Sequence, residues 1–92
     1  MKQLSREEAS QIVTTAVVDE LKIPESEVTN EAHLVNDLSA DSLSVTAIVI
    51  GIEDGLEKAL GEKLLIPDDD VKSLLTREEI VDYIVKRCAE SA

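Results

Sequence analysis

Apolar positions recur at three- and four-residue spacing in three stretches of the chain, the spacing that places side chains on one face of an α-helix. Ala9, Ile12, Val13, Ala16, Val17 and Leu21 predict a first helix over Ser5 to Leu21, opened by a capping box between Ser5 and Glu8. Val45, Ile48, Val49, Ile52 and Leu56 predict a second, with Asp41 as N-cap and a course to about Lys58 or Leu60, where Gly61 supplies the stop. Ile80, Val81, Ile84, Val85 and Cys88 predict a last helix, opened by a second capping box between Thr76 and Glu79. Between these, Pro67 and Asp68, Asp69 and Asp70 mark a short helix through about Leu74, with acids where the helix dipole favours them. No strand shows period-two alternation, and there is no internal repeat. The expected fold is all-α: a four-helix up-and-down bundle with a short third helix.

Pro24 disfavours helix at Ile23, and Glu25 to Leu38 then mixes Ser, Thr, Asn and acids with scattered aliphatics. We read a long loop pinned to the core by Val28, Leu34, Val35 and Leu38. A loop of that length in so small a protein is unusual unless it serves a purpose. The second helix is also out of the ordinary. Leu43, Ala47, Ile50 and Gly51 form an outward apolar stripe beside the core-facing one, so the helix is either nearly encircled or exposes a patch for a partner.

Ninety-two residues make one small domain, 1–92, and exclude a multi-domain enzyme. Phe and Trp are absent and Tyr83 is the only aromatic, so the core is aliphatic. Tyr83 is expected to pack with a wet hydroxyl. Nine basic against twenty acidic side chains leave a net charge of -11. That balance opposes nucleic acid and anionic membrane surfaces, and it calls for partners with basic patches. Between Glu7 and Glu57 the only Lys or Arg is Lys22, whereas Asp37, Asp41, Glu53 and Asp54 bracket the second helix and would steer a basic partner toward its start. The bland alternative is a solvated acidic face.

One cysteine, Cys88, can close no internal disulfide and is read as a buried small hydrophobe; no apolar run is long enough to span a bilayer. A cytoplasmic monomer without membrane insertion is the expectation. His33 has no second ligand or general-base partner nearby and is read as a loop residue. The three consecutive aspartates lack the alternate spacing and glycine of a calcium loop, so no metal site is assigned.

Ser42 follows the N-cap at a helix start that opens onto the long loop, so its hydroxyl should be exposed beside backbone N–H groups without intrahelical partners. The positive end of the helix dipole and free amides there suit a phosphate ester. A serine in a first helical turn is otherwise simply a good helix-start residue.

The string Asp37-Leu38-Ser39-Ala40-Asp41-Ser42-Leu43, set between a long loop and an aliphatic helix, resembles the attachment motif of acyl carrier proteins. The similarity runs from about Ser5 to Cys88. It includes the acidity, the helix order, Ile66-Pro67-Asp68 ahead of the third helix and Thr76 through Ile84 at the last. The resemblance implies that Ser42, flanked by Asp41 and Leu43, is esterified by a phosphopantetheinyl transferase, which takes 4'-phosphopantetheine from coenzyme A with magnesium held largely by the transferase. It implies no catalysis by the chain itself. Cargo rides as a thioester on the arm, for fatty-acid, polyketide or related acyl assembly. It further implies that acyl synthases and transferases dock near Asp37, Asp41, Leu43, Ala47, Ile50, Glu53 and Asp54. An acyl chain would fold back between the second and third helices among Val45, Ile48, Val49, Ile52, Leu56, Val71 and Leu74.

The chain departs from that family's pattern in three places. Ser39 stands where glycine is usual, and Ser44 and Ala47 stand where fatty-acid carriers place acids. The passage from Leu56 to Pro67 is longer by about one and a half helical turns. A specialised carrier is implied. The rival readings are a peptidyl or aryl carrier of a nonribosomal system, and an acidic interaction module in which Ser42 is never modified.

Overall fold

The computed structural model describes residues 4–61, 63–72 and 75–91, with the side chains at 68, 90 and 91 left aside. Among the described residues, four α-helices and one 3-10 turn make up the regular structure: α1 Arg6–Leu21, the 3-10 turn Glu25–Glu27, α2 Ser42–Leu60, α3 Asp68–Val71 and α4 Arg77–Ser91. No strand occurs among the described residues; a single antiparallel bridge joins His33 to Thr76. The all-α expectation holds.

Local chemistry sets the boundaries. Ser5 accepts the Glu8 N–H and Glu8 accepts the Ser5 N–H, closing the capping box at α1. Lys22 ends that helix in the left-handed region, at φ 57°. At α2 the Asp41 carboxylate caps the first turn, and Gly61 at φ 76° turns the chain out of the helix without a Cβ penalty. The Thr76 N–H donates to Glu79 Oε1 and the Glu79 N–H to Thr76 Oγ1, closing the capping box that opens α4.

The core is aliphatic. Val13 and Val17 of α1, Ile48, Ile52 and Leu56 of α2, and Ile80, Ile84 and Cys88 of α4 are buried together with Val28, Leu34 and Ile66 from the connections. Each such side chain removed from water is worth roughly 1.5 to 3 kcal/mol, which is how a protein of this size can do without aromatic ballast.

The long loop after α1 is tied down mostly through polar groups. Arg77 donates to Thr14 Oγ1, to the Val28 carbonyl and to Asn30 Oδ1, linking α1, the loop and α4 through one guanidinium. The Leu34 N–H reaches the Leu75 carbonyl at 2.9 Å, and the Glu78 N–H reaches the Asn30 carbonyl at 3.0 Å. Val28, Leu34 and Leu38 pack on the core as expected, but Val35 is 45% exposed. It sits in a turn whose direction is set by hydrogen bonds, so its apolar side chain had no vote.

Two further expectations are refined. Tyr83 packs half-buried on the core, and its hydroxyl has protein partners: it donates to Asp70 Oδ2 and accepts from Arg87, which also lies 5.5 Å from the ring centroid. Desolvation and then the hydrogen bond to Asp70 push its phenol above the ordinary value. The helix expected through about Leu74 ends at Val71, and Leu74 itself lies outside the described residues.

Candidate functional site

Ser42 is the first residue of α2, and the loop before it holds it still. His33 organises that loop. Its ring Nδ1 accepts the N–H groups of Val35 and Asn36, its carbonyl accepts those of Asp37 and Leu38, and its own N–H goes to Asp37 Oδ2 at 2.9 Å. Nothing in the sequence marks His33 for this role, because a lone histidine in a polar loop carries no periodic signal. The chain then passes Ser39 in the left-handed region at φ 61° and plants Ala40 in the core, its N–H on the Leu34 carbonyl at 2.8 Å.

That anchor sets the N-cap. Asp41 Oδ1 accepts the Ser44 N–H at 2.8 Å, and its carbonyl accepts the Val45 N–H at 2.9 Å. The Ser44 N–H, more than any other group, holds the Asp41 carboxyl below its ordinary value, with the Leu43 N–H adding to it. One of the first-turn amides expected for a phosphate, that of Ser44, is therefore taken by the chain's own carboxylate. A phosphodiester borne on Ser42 would have that carboxylate as a negative neighbour beside the remaining amides.

Ser42 is exposed, and among the described residues its hydroxyl has no hydrogen-bond partner; its carbonyl accepts the Thr46 hydroxyl at 2.9 Å. An unengaged primary hydroxyl on a rigid helix start fits a covalent phosphopantetheine ester. Leu43 beside it is 80% exposed, and Ile50 two turns on is 59% exposed. The second helix is therefore open along its outward stripe and not encircled. Asp37, Asp41 and Asp54 are exposed as well.

Glu53 has a structural contact that its sequence position does not signal. Its Oε2 accepts the Ile66 N–H at 2.7 Å in a partly buried contact, so this carboxylate fastens the passage into α3. It also lies on the opposite flank of α2 from Ala47 and Gly51, at ~100° of rotation per residue.

Of the aliphatics assigned to an acyl lining, Ile48, Ile52 and Leu56 are buried and Val45, Val49 and Val71 pack half-buried against them. They are core or packed on it. An open groove of about 430 Å³ lies on the α1 side of α2, lined in part by Ile12, Ala16, Ala47, Gly51 and Gly55.

Comparisons with known proteins agree with this geometry. The family model described as "Phosphopantetheine attachment site" matches residues 11–84. An acyl carrier protein of Rubrobacter xylanophilus is 40% identical over 83 residues, covering 90% of this chain and 95% of the relative. One from Amoebophilus asiaticus is 36% identical, covering 90% and 96%. The solved structure of the acyl carrier protein from Enterococcus faecalis superposes with a TM-score of 0.66 at 32% identity, covering 90% of this chain and 98% of that one. A chain that folds as a helical bundle around an exposed helix-start serine, and matches at this level, belongs to the phosphopantetheine-attachment family of acyl carrier proteins. It is a carrier and not an enzyme, and its prosthetic group is covalently attached 4'-phosphopantetheine. Among the described residues, no helix is long and apolar enough to cross a membrane.

Proposed function

We propose that residues 1–92 act as one cytoplasmic carrier domain, and that Ser42 bears the prosthetic arm. The observation that carries this is the exposed, unengaged Ser42 hydroxyl at the start of a helix whose cap and preceding loop are both hydrogen-bonded in place. The arm supplies a thiol on which acyl groups are held as thioesters, so that partner enzymes work on a tethered substrate at high local concentration. The chain's own residues do less chemistry and more positioning. Asp41 and the His33 turn fix the helix start, Ala40 anchors it, and Leu43 offers a partner an apolar foothold beside the reacting oxygen.

Fatty-acid or related acyl-chain assembly is the role that fits. Among the carrier classes, the relatives named acyl carrier proteins favour an acyl cargo over an aminoacyl one. A chain stored inside the protein would have to displace core packing at Ile48, Ile52 and Leu56, which are buried, from the side where Val45, Val49 and Val71 pack half-buried on the core.

The test is intact-mass spectrometry after incubation with coenzyme A, magnesium and a broad-specificity phosphopantetheinyl transferase. The wild-type chain should gain one phosphopantetheinyl group and Ser42→Ala none. A wild-type mass that does not move, or a Ser42→Ala variant that still gains the group, refutes the assignment.

A further inference from the structure

The turn ahead of α2 hangs on one imidazole nitrogen. His33 is half-buried, and its Nδ1 accepts the Val35 N–H at 3.2 Å and the Asn36 N–H at 3.0 Å. Among the described residues neither amide has another acceptor. The ring thus stands where an Asn or Asp oxygen stands in an Asx turn. A ring nitrogen accepts only while it carries no proton, so the side chain in this turn is neutral, with its hydrogen on Nε2. A proton added at Nδ1 makes both ring nitrogens donors, and neither orientation of the ring then offers a lone pair. Two N–H dipoles converging on one point also repel a cation placed there.

The other bonds of the turn end on the same residue. The His33 carbonyl accepts the N–H groups of Asp37 at 2.8 Å and Leu38 at 3.1 Å, and Asp37 Oδ2 accepts the His33 N–H. Directly afterwards Ser39 is held at φ 61°, a conformation a serine resists, before Ala40 enters the core and Asp41 caps α2. Bonds lost at Nδ1 therefore release a segment that gains by relaxing, three residues short of Ser42. The charged groups around the turn are Glu31 and Asp37 on the loop, Asp41 at the start of α2, and Arg77, Glu78 and Glu79 where α4 opens beside the His33–Thr76 bridge. Arg77 is engaged with Thr14, Val28 and Asn30, so a charged ring is drawn toward acids and away from the two amides.

We propose that His33 is a positioning residue for the chemistry at Ser42, and that the start of α2 is set for modification only while the imidazole is neutral: acid opens the turn 33–38 and slows loading of the arm. This rests on the reading of Ser42 as the attachment residue. The effect travels along the backbone. The ring releases Val35 and Asn36, Ser39 relaxes, Ala40 and Asp41 hold the first turn of α2 less tightly, and the Ser42 hydroxyl is presented over a wider range of positions. Histidine changes charge between about pH 5 and 8, above the range of free carboxylates at about pH 4, so its titration is read apart from theirs.

Two measurements between about pH 5.5 and 7.5 test this. In NMR of the isotope-labelled, unmodified chain, the His33 ring should be the Nε2–H tautomer at the upper pH, and the Val35 and Asn36 amide signals should move with the ring's titration. In His33→Asn, whose side-chain oxygen accepts the same amides and does not titrate, they should stay in place. In loading kinetics with coenzyme A and a broad-specificity transferase, dividing the wild-type kcat/KM by that of His33→Asn at each pH cancels the transferase's own titration. That ratio should fall about threefold to tenfold from the upper to the lower pH, the loss of two ordinary hydrogen bonds. His33→Ala, with no acceptor, should load slowly relative to His33→Asn at every pH. Circular dichroism establishes that each variant is folded. A flat ratio, an Nδ1–H tautomer, Val35 and Asn36 amides that ignore the ring, or a His33→Ala variant loaded as fast as His33→Asn overturns the proposal. A wild-type chain that accepts no arm removes the Ser42 reading and the role of His33 in loading together; a loaded wild type with a flat ratio removes the His33 proposal alone.

Discussion

Among the described residues other than glycine, Ser39 and Lys22 are held in the left-handed region, and only Ser39 lies in the loop before α2. At φ 61° its Cβ crowds the following carbonyl, a conformation that costs an L-residue roughly 1 to 2 kcal/mol and costs glycine almost nothing. The turn cannot relax it, because His33 fixes the chain on one side and Ala40, buried with its N–H on Leu34, fixes it on the other. The serine that stands in place of the family's usual glycine is therefore a local cost that the fold absorbs. Ser39→Gly should raise stability by about 0.5 to 1 kcal/mol, the relief of strain less the greater freedom of glycine in the unfolded chain. For a protein of this length that is a rise of about 2 to 8 °C in Tm. Thermal melts would show it, and a midpoint that stays put or falls would mean the turn carries no strain at Ser39.

Helices α1 and α2 meet through small residues, and the two glycines of α2 are not equivalent. A Cβ added at Gly51 would lie 3.4 Å from the Ala16 Cβ, an ordinary contact, whereas one added at Gly55 would lie 2.9 Å from Ile12 Cγ2. Alanine gains roughly 0.5 to 1 kcal/mol over glycine inside a helix. At Gly55 that gain is set against overpacking of a β-branched neighbour, typically about 1 to 3 kcal/mol. Gly51→Ala should therefore be more stable than Gly55→Ala by about 1 to 3 kcal/mol in urea titrations, and equal midpoints would show that Ile12 moves aside freely. The helices themselves were legible in the sequence, since Ser5, Asp41, Gly61 and Thr76 act locally and each sits where the structure starts or stops a helix. The tertiary ties were not. Arg77 reaches Thr14 and Val28, 63 and 49 residues away, and no periodicity encodes such a contact. The same holds for Glu53, whose acid reads as surface charge until Ile66 is seen against it. The placement of Ser42 at an exposed helix start was legible because its signal is a compact motif at a helix boundary.

At the scale of the whole molecule, charge works against compactness. Nine cations cannot offset twenty acids, and the ion pairs Arg6–Asp82, Lys58–Asp54 and Lys72–Asp69 are all exposed. Such pairs contribute little each. With a radius of gyration of 12.1 Å and a longest extent of 35 Å, every acid feels every other when the screening length is about 30 Å, as at ~0.01 M salt. At ~1 M, with a screening length of about 3 Å, only nearest neighbours remain coupled. Unfolding separates the charges, so repulsion favours the unfolded chain, and salt should remove that advantage faster than it weakens the exposed pairs. Tm should therefore climb as sodium chloride rises from about 10 mM to about 0.5 M. Neutralising Glu25, Glu27 and Glu31 together to glutamine should raise Tm at low salt and flatten the climb, since these exposed loop residues add repulsion without capping α1, α2 or α4. A Tm indifferent to salt, or a triple variant with the same slope as the wild type, would place the acids too far apart to matter and leave their role to partner recognition alone.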